Sequence, residues 1–118
     1  MFIYIASPYS HETAEIRQER FEAVTREVSR YLKAGVTVYS PITHCHELAN
    51  RYCLPTDFEF WQVHNENMLA AADALYVLTL TGWRHSKGVA AEMHFARSRE
   101  IPIMLIHPEE LECHPLSV

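Results

Sequence analysis

The stretch Ala72-Asp73-Ala74-Leu75-Tyr76-Val77-Leu78, then Thr79 to His85, then Ser86-Lys87-Gly88-Val89-Ala90-Ala91-Glu92-Met93-His94-Phe95-Ala96, decides the fold. Its first part is a short apolar run with β-branched and aromatic members, the pattern of a buried strand. Gly82 and Trp83 interrupt the run. Ser86 has the chemistry of a helix N-cap, because its hydroxyl can accept a hydrogen bond from an N–H one turn in. Gly88 falls in the first turn, where a missing side chain lets a ligand approach the backbone closely. The free N–H groups of that turn face the space beyond the strand, and the helix dipole favours an anion there.

Within this helix Val89, Met93 and Ala96 form the apolar stripe. Glu92 stands beside it, three residues after Val89 and four before Ala96,. A carboxylate so placed is expected to be half-buried near the mouth of the strand–helix crevice. A solvated helix face is the ordinary reading of a lone glutamate. The adjacent Ser-x-Gly and the preceding Gly-Trp favour a functional one.

Working outward, the chain has 118 residues, enough for one domain with one core,. With 48% apolar and 21% charged residues it is globular in composition,. A formal charge of −5 argues against broad electrostatic binding to nucleic acid or to an anionic membrane,. No apolar run reaches membrane-spanning length, and a strand pattern starts at once, so a cytoplasmic protein is expected. Three cysteines without framework spacing fit reduced thiols,. His44-Cys45-His46 with Cys53 lacks a second paired motif, so no metal site is expected, and His44 is read as a polar group lining the crevice near Ser40.

The chain opens with Phe2-Ile3-Tyr4-Ile5-Ala6, a buried strand, and Ser7-Pro8-Tyr9-Ser10-His11 follows as a loop. Ser10, with Glu12 behind it, reads as a helix start. Phe21, Val24, Val28, Tyr31 and Leu32 recur at helical spacing, and Gly35 ends the helix. Arg17 is near enough to the loop to reach a phosphate; Arg20, Arg26 and Arg30 are read as mostly solvent-facing. Val36 to Tyr39 is a second strand, and Ser40-Pro41 starts a helical stretch through Tyr52. Thr56 and Glu59 have capping-box spacing for a helix that carries Trp61, His64 or Asn65, Met68, Leu69 and Ala72 on one face. Trp61 is read as packing, and Asp73 as a structural anchor. Ile101 to Ile106 is the fourth strand, and residues 107–118 form an irregular tail.

The alternation β-α-β-α-β-α-β predicts an α/β domain spanning 1–118, flavodoxin- or Rossmann-like in three layers. Its four-stranded parallel sheet has order 2-1-3-4, with helices on both faces. The switch point lies between the first and third strands, where the loops Ala6–His11 and Thr79–Lys87 meet. A small anionic ligand, a phosphate ester, fits between Ser7, Ser10, Ser86 and nearby N–H groups. Trp83, on an exposed loop, is placed to cover a ligand or a neighbouring subunit.

The motif Gly82-Trp83-x-x-Ser86-x-Gly88-x-x-x-Glu92, the opening Ile3-Tyr4-Ile5-Ala6-Ser7-Pro8-Tyr9, and Ala72-Asp73 resemble the nucleoside 2-deoxyribosyltransferase-like superfamily, and within it a small bacterial and phage branch. Ser86 with Glu92 six residues on is also similar to the deoxynucleoside 5′-monophosphate N-glycosidases. The resemblance implies that Glu92 attacks the sugar C1′, that the base leaves, and that water or a second base takes the glycosyl group. It implies that Tyr4 orients the nucleophile and that Ser86 contacts a 5′-phosphate. Transferases tend to carry an acid at the Ser86 position to hold a free 5′-hydroxyl, so serine favours a nucleotide over a nucleoside. Ser7, Pro8, Ser10, Trp83 and Gly88 complete the expected binding set.

One position departs from the pattern. Eight residues before Asp73, where catalytic relatives carry an aspartate that assists the leaving base, stands Asn65. An amide cannot be a general acid, though it can hydrogen-bond a base or a ribose. Two readings therefore stand side by side. One is an N-glycosidase or deoxyribosyltransferase acting on a nucleotide or nucleoside; the other is a non-catalytic binding module for a nucleotide or ribose phosphate. Neither calls for a cofactor. The resemblance implies a homodimer or larger homo-oligomer, in which a neighbour closes the site.

Overall fold

The computed structural model describes residues 1–108, so the expected tail lies outside the described residues from position 109 onward. The four strands are β1 (Phe2–Ala6), β2 (Thr37–Tyr39), β3 (Ala74–Leu78) and β4 (Ile103–Ile106). They form one parallel sheet in the order β2-β1-β3-β4. The helices are α1 (Ala14–Lys33), α2 (Pro41–Tyr52), α3 (Phe58–Ala70) and α4 (Lys87–Ser98), with a 3-10 turn over Trp83–His85.

Two apolar layers hold the sheet between helices. On one face Tyr4, Ala6, Leu75 and Val77 pack with Leu69 of α3, with Ala72 just beyond it, and with Val89 and Ala96 of α4. On the other, Ile3, Ile5 and Leu78 pack with Val24 and Val28 of α1 and Ile42 of α2. Successive residues of β1 alternate between these clusters, as the period of a strand requires. The central strands are buried on both faces, which is why their sequence is a continuous apolar run.

Several local expectations shift. The first long helix starts at Ala14 with Thr13 as its N-cap, not at Ser10, so Ser10 to Glu12 remain loop. At the start of α3, Asp57 is the cap: its side chain accepts from the Phe60 N–H at 3.2 Å, which displaces the capping box read at Thr56. Asp73 anchors the outset of β1, its Oδ2 accepting from the Phe2 N–H at 2.7 Å. Among the described residues no helix is long and apolar enough to cross a membrane.

Candidate functional site

Parallel strands end on a common edge, so the loops after β1 and β3 come together there. Between them opens a cavity of about 530 Å³. Loop residues Ser7, Pro8, Tyr9, Ser10 and His11 form one wall, and Gly82, His85, Ser86, Lys87 and Gly88 form the facing wall. Further lining comes from α2, through Pro41, Ile42 and Cys45, and from α3, through Phe58, Trp61 and Asn65.

The β3–α4 corner follows local rules. Gly82 turns the chain with φ +90°, a conformation that a side chain would strain,. Ser86 caps α4 by accepting from the Val89 N–H at 3.2 Å. The capping bond uses the serine oxygen as acceptor, so its hydroxyl proton remains available to a ligand. The first-turn N–H groups of Lys87 and Gly88 belong to the same cradle.

Glu92 lies one turn further along α4 and also lines the cavity. It is buried rather than half-buried, with 8% of its surface exposed. The Tyr4 hydroxyl, reaching from the middle of β1, donates to Glu92 Oε2 at 2.5 Å. Burial pushes the Glu92 carboxyl up to about 7, and the tyrosine bond works in the opposite direction,. Burial and the neighbouring Glu92 carboxylate hold the Tyr4 phenol well above its usual range, so it keeps its proton and acts as donor. The pair is an oriented carboxylate, poised to ionise near neutral pH, at the bottom of a cleft.

Two buried side-chain atoms in the cavity wall have no hydrogen-bond partner among the described residues: Ser7 Oγ and Asn65 Oδ1. Buried polar groups are nearly always paired, so these are the places where a ligand's hydroxyl, phosphate or base edge gains most.

Most of the expected site residues converge here: Ser7, Pro8, Ser10, Asn65, Ser86, Gly88 and Glu92 line the cavity, and Tyr4 bonds to Glu92. Trp83 does not line it; its ring packs against the α3/α4-side core, with the Arg84 guanidinium 5.1 Å from its centroid. The turn that Gly82 starts folds the indole back onto the protein. His44 also lies off the cavity, exposed and stacked on His64 at 5.3 Å. His46 is buried and engaged, Nδ1 with the Tyr9 hydroxyl at 2.7 Å and Nε2 with Gln18 Oε1 at 3.0 Å. Among the described residues no cluster of three or more His, Cys, Asp or Glu side chains could hold a metal.

The arginine assignment reverses. Arg17 is spent on the carbonyl oxygen of His11. Arg20 reaches the cavity instead, donating to Ser10 O at 2.9 Å and to Thr81 O at 3.2 Å. It ties the two loops across the switch point and occupies the space beside Gly82, where a Cβ would meet its Nη2 at 3.0 Å. Moving the helix start to Ala14 leaves Ser10 in the loop, with its carbonyl free to accept from this arginine. Trp61 was the second residue missed: it lines the cavity, with its ring fixed by an Nε1–H bond to Pro55 O at 2.8 Å. Its helical spacing with Asn65 was the available signal.

A search of curated proteins finds no match for this chain. Among solved structures, the 2-deoxyribosyltransferase of Bacillus psychrosaccharolyticus is similar at 22% sequence identity and a TM-score of 0.62. The similarity covers 98% of this chain and 78% of that one, and the expected fold is thereby borne out. Residues 1–107 match the sequence model of the family described as a domain of unknown function, DUF1937, so the chain, built on the fold of a 2-deoxyribosyltransferase, belongs to the DUF1937 family.

Proposed function

We propose that the protein cleaves or transfers across the N-glycosidic bond of a nucleoside 5′-monophosphate or nucleoside, with Glu92 as nucleophile. The observation that carries this reading is the Tyr4–Glu92 bond at 2.5 Å at the bottom of the cavity. Cleaving such a bond passes through an oxocarbenium-like state, and a carboxylate beneath C1′ stabilises or traps it. Burial supports the role further, because a desolvated carboxylate interacts more strongly with the positive charge developing on the sugar. Tyr4 aims the attacking oxygen, and Ser86, Ser7 and the first-turn N–H groups of α4 grip the phosphate. The wall at Gly88 fits that grip. An added Cβ would meet Phe58 Cδ1 at 3.8 Å, an ordinary contact, so packing alone does not demand glycine there. The named activity of the similar Bacillus psychrosaccharolyticus enzyme is of the same class.

A second reading is a nucleotide-binding module without turnover, favoured by Asn65, which offers an amide where an acid could assist the leaving base,. Incubation with a panel of nucleosides and nucleoside monophosphates separates the two. Release of free base that disappears in Glu92→Ala while binding persists supports catalysis. Binding without release from any of them supports the module.

A further inference from the structure

Among the described residues, the α3 and α4 side chains that flank the cavity level with Glu92 are Trp61 and Asn65, neither of them an acid,. Phe58 at the start of α3 lies beside Gly88 at the start of α4. Both helices run antiparallel to the strands they flank. Trp61 and Asn65, about one and two turns along α3, therefore flank the cavity level with Glu92, about one turn along α4. Ile42 and Cys45 of α2 also line the cavity. Granted the glycosidic reading above, on which this inference rests, a base joined to C1′ over Glu92 occupies this region.

Each acid in the cavity is otherwise committed. Asp57 caps α3 through the Phe60 N–H, and Glu59 pairs with Lys87 at the exposed rim, which holds its carboxyl below the usual range. The Tyr4 proton is held on Glu92. Burial lifts the Cys45 thiol to about 11, too weak an acid for the task,. His11 and His85 belong to the two loops that carry Ser10 and Ser86, the end that the proposed function assigns to the phosphate. What faces the base is an amide with an unpartnered oxygen and the indole of Trp61.

We propose that the substrate is an N-glycoside whose base already carries positive charge, either a pyridinium nucleotide or an N7-alkylated purine nucleotide. An ordinary base leaves as an anion unless it is protonated. A cationic base needs no proton: Glu92 oxygen bonds to C1′, the C1′–N electron pair passes to the ring nitrogen, and the base departs neutral. Water then displaces Glu92 from C1′, releasing the sugar phosphate, the carboxylate and one proton to solvent. The Trp61 ring attracts the cation through its π-face, and Asn65 hydrogen-bonds an exocyclic amide or amino group.

The test uses the full chain with nicotinamide mononucleotide, 7-methylguanosine monophosphate, adenosine monophosphate and guanosine monophosphate, and measures free base by chromatography. The cationic nucleotides are expected to release base at least roughly 100-fold faster than the ordinary ones, the lower end of what a positioned acid normally supplies. Release from only one cationic nucleotide identifies which of the two classes is used. Asn65→Asp, which introduces an acid, is expected to raise the ordinary purine rates by about tenfold or more and so to narrow the cationic-to-ordinary rate ratio by at least that factor. Equal rates for cationic and ordinary nucleotides in the unaltered protein overturn the proposal and leave the glycosidic reading standing. Absence of free base from all of them, with binding retained, overturns both.

Discussion

The two loops that meet at the carboxyl edge of the sheet are built differently. The β3–α4 corner is made from neighbours in sequence: Gly82 turns, Ser86 caps, and Glu92 follows on the same helix. The β1–α1 corner has no side-chain cap at Thr13 and is held from a distance, Arg20 reaching both Ser10 and Thr81. One corner carries Glu92 and the other is fitted to it. A site of this kind needs both, because a carboxylate on a rigid helix is useful only if the opposite wall keeps its spacing.

The largest expected effect tests whether the chemistry belongs to the β3–α4 corner. Glu92→Ala is expected to lower the rate of base release by about 10⁴-fold with little change in nucleotide binding, as loss of a nucleophile does. A residual rate within tenfold of the original would move the chemistry elsewhere in the cavity.

Next comes the electrostatic cost of keeping that carboxylate buried. Glutamate titrates near 4.5 when unfolded and at about 7 here. Between those values the folded chain binds more protons than the unfolded one, so stability falls as pH rises through this window and stays lower above it. Glu92→Gln is therefore expected to be more stable than the original protein at pH 8, by up to about 3 kcal/mol, with the gap closing near pH 4.5,. Thermal melts at the two pH values read this directly. Activity runs the opposite way: base release should rise with pH and level off above about 7, once the nucleophile is ionised. Tyr4→Phe, which removes the donor that favours the ionised form, should shift that rise to higher pH.

Smaller effects probe each corner separately. Ser86→Ala is expected to cost about 1 kcal/mol of stability through the lost cap,. Titration calorimetry should show it weakening phosphate-bearing ligands more than the matching nucleosides; equal weakening would remove the phosphate from this turn. Arg20→Ala is expected to cost about 1 kcal/mol or less, because its bonds are solvent-exposed, yet to raise KM as the loops part,. An unchanged KM would mean that the β1–α1 wall holds its place without the tie.

Legibility in the sequence follows the same division. Ser86, Gly88 and Glu92 could be read because cap chemistry and helical periodicity act over a few residues. Tyr4 entered through the resemblance of its strand, and geometry then supplied the bond to Glu92, across 88 positions of chain. That Trp83 lies off the cavity could not be read, because an exposed-loop pattern does not say which way a turn folds its aromatic side chain. Arg20 was missed because nothing local distinguishes an arginine that faces water from one that spans two loops.

By itself, then, the sequence determined the alternation of strands and helices, the parallel sheet in order 2-1-3-4, and the helix that presents Glu92. These follow from hydrophobic period, turn residues and the handedness of crossover connections, all of which act locally or by general rule. Only the tertiary structure decided that Glu92 is buried rather than half-buried, that Arg20 rather than Arg17 reaches the cavity, and that Trp61 rather than Trp83 lines it. Burial and pairing of polar groups depend on what distant segments bring alongside them, and that proximity exists only once the sheet has closed its layers.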